Sequence, residues 1–165
     1  MQVNTVKEYL ERIISSKKIS SSDNKTSSHK YWGIEDFVHQ HGMQFSEIIF
    51  PNWVLYGRTG ECFKNAFELV LRHPSLTYCE GYALSFMPLH HAWCVTSHGE
   101  VVDPTWRDGS TDYFGIPFHF DYVHHVVCEK KSFGLLGNFE MNYPLLTGEH
   151  DPAKENIFNA SLKSS

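Results

Sequence analysis

Residues 62–72 most constrain what this chain can fold into. Phe63, Ala66, Phe67, Val70 and Leu71 recur at helical spacing and make a wide apolar stripe, and Pro74 forbids the helix to continue. After Pro74 the period changes. Residues 76–86, 90–96, 100–103 and 122–129 read as strands, rich in β-branched and aromatic residues and separated by short turn-forming stretches. A one-sided helix followed by consecutive strands predicts an α+β domain: an antiparallel sheet with the helix packed against one face.

Upstream, Val6, Leu10, Ile13 and Ile14 mark an amphipathic helix over residues 5–15, and Thr5-Val6-Lys7-Glu8 has the form of a capping box. Residues 15–30 are rich in Ser and Lys and nearly free of apolar side chains. Such a segment buries too little surface to offset its ordering entropy and reads as a mobile linker. The chain thus divides into an N-terminal helix and linker, 1–30, and a body, 31–165. The helix is either packed on the body or a docking arm. Within the body, a short helix over 34–40 is expected to end at Gly42 in a left-handed cap, and residues 45–50 are expected to form a strand stopped by Pro51. The polar tail after Asp151 is expected to fray.

At 165 residues, 41 % of them hydrophobic, the chain suits a single domain with a sizeable core. A formal charge of −5 provides no basic footprint for nucleic acid or an anionic membrane. No apolar run approaches the roughly 20 residues that span a bilayer. The first residues lack a signal-peptide layout, and a cytoplasmic location is the expectation. Four well-separated cysteines without a secretion signal do not suggest a disulfide scaffold, and with eleven histidines they show no zinc-ligand spacing. No metal or cofactor is implied, and the oligomeric state is open.

The chemistry concentrates between Gly60 and Trp106. Cys62 opens the apolar helix, where unsatisfied amides and the positive dipole end favour a thiolate and can stabilise an oxyanion. Its bland alternative is a buried cysteine at a helix start. Two adjacent histidines, His90 and His91, compete as its base, and they face opposite ways on a strand. The loop Ser97-His98-Gly99 fits a three-residue hairpin with Gly99 left-handed. Thr96 then opposes Glu100 and Trp93 opposes Asp103, which makes Asp103 the diagonal neighbour of His91, about 7–8 Å away. A two-residue turn would bring Asp103 beside His90 instead. The first register selects Cys62 as nucleophile, His91 as base and Asp103 as the group that orients the base. Asp103 could equally be a turn aspartate before Pro104. Trp93 and Trp106 read as walls of the site or as core. His119, His124 and His125 read as surface or strand positions.

Cysteine at a helix start, Gly81-Tyr82 on a strand, His91-Ala92-Trp93 and Asp103-Pro104-Thr105 together resemble the transglutaminase-like superfamily, which is similar to papain in fold. The resemblance covers roughly residues 57–106. It implies a papain/transglutaminase-like core, a Cys62-His91-Asp103 triad, and a protein, peptide or small acyl substrate, with Tyr82, Trp93 and Trp106 placed to line its site. Only eight residues separate Tyr82 from His91, where the superfamily often carries substrate-binding material. An oxyanion-hole side chain is not fixed; Tyr56, Trp53 and Trp32 are the candidates. The segment Arg58-Thr59-Gly60-Glu61-Cys62-Phe63 is also loosely similar to that of arylamine N-acetyltransferases, which are longer chains. A non-catalytic binding module on the same fold is the reading from a different class.

Overall fold

The computed structural model describes residues 3–20, 29–110, 112–138, 142–148, 155, 157–159 and 161–162. In chain order they form α1 (Val6–Ser20), α2 (Ile34–His41), β1 (Met43–Phe45), α3 (Cys62–Arg72), β2 (Thr77–Leu84), β3 (Pro88–Val95), β4 (Val101–Val102), β5 (Tyr113–Phe118), α4 (Phe120–Lys130) and α5 (Pro144–Thr147). The strands make one antiparallel sheet in the order β1-β5-β2-β3-β4. The architecture is α+β, and no described helix is long and apolar enough to cross a membrane.

Alternation along the strands divides two apolar clusters. Tyr78, Tyr82, Ala92, Cys94, Ile116 and Phe118 point to the face covered by α1, α2, α3 and α4, and this is the larger core. Phe45, Cys79, Ala83, Trp93, Val95, Val101 and Tyr113 form a second cluster on the other face. The stripe of α3 behaves as its spacing requires: Ala66, Phe67 and Val70 are buried on the sheet, although Leu71 is exposed and Leu69 takes its place.

The β3–β4 hairpin has the expected register. Thr96 N–H donates to the Glu100 carbonyl at 2.9 Å, Cys94 pairs with Val102, and Gly99 sits at φ 81°, a conformation that favours glycine. Asp103 therefore leaves β4 on the face that carries His91.

Elsewhere the sequence reading needs correction. Helix α1 runs on to Ser20, five residues past its expected end; Lys17, one of the residues read as linker, pairs with Glu35 of α2. The remaining linker residues 21–28 lie outside the described residues. Val6, Leu10 and Ile14 bury their side chains in the larger core, so α1 is packed on the body. Gly42 ends α2 in extended backbone, φ −78°, because the chain passes straight into β1. β1 stops at Phe45, and Ile48 makes only an isolated bridge to Val101. Residues 122–129 are not a strand but part of α4: Val123 and Val126, three apart, are its buried positions, and Lys131 provides a left-handed cap. The sheet strand supplied from this part of the chain is β5 instead. In the tail, most residues after Asp151 lie outside the described set, but Ile157 is buried, its carbonyl accepts from His119 N, and Phe158 bridges to Phe118; these residues are docked, not frayed.

Candidate active site

Cys62 is the first residue of α3, and no side chain caps that helix start, so the first-turn amides are not occupied by a capping group. The entry to α3 is held firmly. Gly57 N donates to the Pro104 carbonyl at 2.9 Å, and Asn65 Nδ2 donates to the Arg58 carbonyl at 3.0 Å and to Thr105 Oγ1 at 2.9 Å. A Cβ at Gly57 would stand 1.9 Å from Asn65 Oδ1, so only glycine permits this approach. The segment before the cysteine and the segment after the aspartate are thereby clamped to each other.

His91 and Asp103 meet at 2.7 Å, Nε2 to Oδ2, with both side chains almost fully buried. Cys62 interacts with the same ring. Only the carboxylate contact has the length and alignment of a fully formed hydrogen bond, and thiol–imidazole contacts of this kind commonly tighten when substrate binds. Asp103 occupies Nε2, which leaves Nδ1 for the thiol. Burial alone would lower the His91 pKa. The hydrogen bond to Asp103, the looser contact with Cys62 and the charges of both outweigh it, and the pKa is raised to about 9.

Asp103 is fully subscribed. Oδ2 also accepts from Tyr113 Oη at 2.8 Å, while Oδ1 accepts from Thr105 N at 2.8 Å and Trp106 N at 3.0 Å. The turn that the Asp-Pro pair suggests is real, and it aims one carboxylate oxygen at His91 while the other is consumed by the backbone. Trp106 stacks on His91, with ring centroids 3.9 Å apart and planes 15° apart, and shields the His91–Asp103 bond from water. Trp93 lies beneath, fully buried, with its ring 6.3 Å from His91.

The other sequence candidates fall elsewhere. Tyr82 stacks on His90 and faces α1 and α2, on the opposite side of the sheet from His91. Trp53 packs on His73 at the far end of α3, and the Trp32 amide donates to Asp36 at the start of α2. Tyr56 lies under the Arg107 guanidinium, in the stretch leading to Gly57. Beside Trp106, a cleft of about 590 Å³ runs between residues 57–59 and 105–109 and is bounded by Ser85.

His90 has its own carboxylate. Glu80, fully buried, accepts from His90 Nε2 at 3.1 Å, Tyr78 Oη at 2.9 Å, and the amides of Leu135 and Leu136 at 2.7 and 2.9 Å. Burial would raise the Glu80 pKa, but His90 and the two amides bring it below the usual carboxylate range. Sequence reading missed Asn65, Glu80 and Tyr113. A carboxylate centred in an apolar strand was the one available signal for Glu80. Among the described residues, no three His, Cys, Asp or Glu side chains converge as metal ligands.

No family model, curated protein or solved structure matches this chain.

Proposed function

We propose that this protein is a cysteine-nucleophile acyl-transfer enzyme with a transglutaminase-like, papain-like core, acting on an amide, ester or thioester of a protein, peptide or small acyl donor. The observation that carries the reading is the convergence of Cys62, His91 and Asp103 from three separate elements, with a buried carboxylate on one ring nitrogen of His91 and the thiol beside the same ring. An imidazolium beside a thiol is the partner that a thiolate nucleophile needs.

The steps follow from the placement. Cys62 sulfur attacks the acyl carbon, and the carbonyl electrons move onto oxygen. The uncapped first-turn amides of α3 are donors for that oxyanion. On collapse, the bond to the leaving group breaks and His91 delivers its proton to that group. The neutral ring then removes a proton from water or an amine, which attacks the thioester and releases Cys62. Asp103 keeps the ring oriented and stabilises its charged form throughout. The cleft along Gly57–Thr59 and Thr105–Gly109 is where an acyl donor would lie.

Turnover of p-nitrophenyl acetate and of a peptide thioester, by the wild type and by Cys62→Ala, tests the proposal. Cys62-dependent release of p-nitrophenol or thiol is expected. Equal, background rates from both proteins would reject it. The burial of Cys62 and His91, at 8 % and 2 % exposure, favours a second reading: a binding module that keeps the fold and encloses the residues. That module would show neither turnover nor a fast-reacting thiol.

A further inference from the structure

Tyr113 is the first residue of β5, fully buried in the second cluster, and no part of the proposed chemistry requires it. Its hydroxyl is nonetheless placed with full hydrogen-bond geometry. It accepts from Ser110 N at 3.0 Å, which directs its own proton to Asp103 Oδ2 at 2.8 Å, the oxygen that takes His91 Nε2. The backbone around it is fixed. Asp112 N donates to Ser110 Oγ, Leu84 N donates to the Asp112 carbonyl, and the Asp112 carboxylate accepts from Val6 N and Gln44.

We propose that Tyr113 is a positioning residue of the candidate active site, which by sharing Asp103 Oδ2 with His91 sets how strongly that carboxylate holds the imidazole. The inference rests on the reading of Cys62, His91 and Asp103 as an acyl-transfer site. A carboxylate oxygen that accepts a phenol proton carries less charge toward its second partner. Too strong a hold keeps the proton on His91 and slows its delivery to the leaving group; too weak a hold costs the imidazolium its stabilisation. The titratable groups that face this network are Cys62 from α3, Asp103 after β4, Tyr113 from β5, and, at longer range, Cys94 and Tyr56. Trp106 and Trp93 cover the ring with uncharged surface. Of the groups that touch Asp103 Oδ2, only Tyr113 can be removed without deleting a member of the triad.

The test is the titration of His91, followed by NMR of ¹³C/¹⁵N-histidine-labelled protein, in the wild type and in Tyr113→Phe. Removing the phenol proton should raise the midpoint by about half to one pH unit. Global replacement of tyrosine by 3-fluorotyrosine, an isosteric and stronger donor, should move it the other way and guards against failure of the Phe variant to fold. An unchanged or lowered midpoint in Tyr113→Phe, or one unmoved by fluorination where that variant does not fold, overturns the proposal, even if the melting temperature falls. Iodoacetamide reactivity of Cys62 in the same samples separates the two claims. An inert Cys62 with a shifting His91 removes the enzyme reading but leaves the coupling, whereas a reactive Cys62 with a fixed His91 removes the coupling alone.

Discussion

Asn65 and Thr105, forty positions apart in sequence, are joined by a buried hydrogen bond of 2.9 Å. Asn65 lies one turn into the helix that starts at Cys62, and Thr105 lies two residues after Asp103. The bond therefore fixes the start of α3, and with it Cys62, against the turn that carries Asp103. Replacing Asn65 by alanine removes two donated bonds, leaving the Thr105 hydroxyl without its donor and the Arg58 carbonyl with only Glu61 N at 3.2 Å. The expected cost is about 1–3 kcal/mol in urea unfolding, with slower Cys62 alkylation. Thr105→Val, which removes one bond only, should fall between the two. Loss of stability in Asn65→Ala with unchanged alkylation would show that the clamp does not position the thiol.

Thiol reactivity should separate the four cysteines by environment. Cys79 and Cys94 are fully buried, and burial pushes both thiols well up, so they should stay unmodified in the native protein. Cys128 is exposed on α4 with its sulfur 3.7 Å from His124 Nε2, so it compares an accessible thiol beside a surface imidazole with the buried Cys62. Brief iodoacetamide treatment at mildly acidic pH, read by mass spectrometry, should modify Cys62 ahead of Cys128 despite its burial. Cys128 reacting first would mean that the His91–Asp103 pair gives Cys62 no advantage over an exposed thiol beside a surface histidine.

Mutations across the triad should not add. Cys62→Ala should abolish covalent chemistry with little loss of stability, since a first-turn helix position tolerates alanine. Asp103→Asn should slow acylation severely, by about 10⁴-fold in one well-studied triad, because an amide cannot stabilise the imidazolium. His91→Ala combined with Asp103→Asn should be little worse than His91→Ala alone. Acylation rates of the singles and the double, measured beside thermal melts, decide the point. Multiplying losses would argue against a unit.

Histidine titration links the site to stability. The folded His91 pKa of about 9 lies above the ordinary value of 6.5, so the folded state holds this proton more tightly than the unfolded chain does. Its contribution is fully present below about pH 6.5 and is lost as pH rises through about 9, on the order of 3 kcal/mol. Urea midpoints should therefore fall between those values in the wild type and much less in His91→Gln. Parallel curves for the two proteins would contradict a raised His91.

Glu80 should matter for folding and acid resistance rather than for thiol chemistry. Its folded pKa is lowered, so its contribution is present above the normal carboxylate range and disappears as pH falls through the folded value. Glu80→Gln should reduce stability by a few kcal/mol, release the loop at Leu135 and Leu136 to hydrogen exchange, and leave the Cys62 alkylation rate unchanged. Altered Cys62 reactivity would instead join this pair to the candidate site.

What could be read from the sequence was what local rules determine. The α3 stripe is periodic and bounded by Pro74, and Gly99 at the third loop position set the β3–β4 register on which the choice of His91 depends. β5 was invisible for a physical reason. All six of its residues are buried, so it shows no alternation, and Gly115 and Pro117 read as breakers. Pro117 is tolerated because β1 pairs only as far as Gly115, and beyond it the 157–159 segment takes over, where Asn159 N donates to the Pro117 carbonyl and Pro117 has only to accept. The segment that became α4 was misread because paired β-branched and aromatic residues mimic a strand while its two buried valines recur at helical spacing. Asn65 and Tyr113 owe their roles to partners 40 and 10 positions away, which no local pattern announces.

The His90–His91 doublet also acts on how the sheet is assembled. Each imidazole is matched to a buried carboxylate on its own side, Glu80 behind and Asp103 in front. If β3 slid by one residue in one direction, His90 would reach Asp103 but Leu89 would be left beside Glu80. Sliding the other way, His91 would reach Glu80 and Ala92 would face Asp103. Either slip preserves one pair and leaves a buried carboxylate without its imidazole partner, a loss that costs about 1–3 kcal/mol or more. Two neighbouring histidines thus proofread strand alignment: a mispaired hairpin can satisfy one face of the sheet but never both.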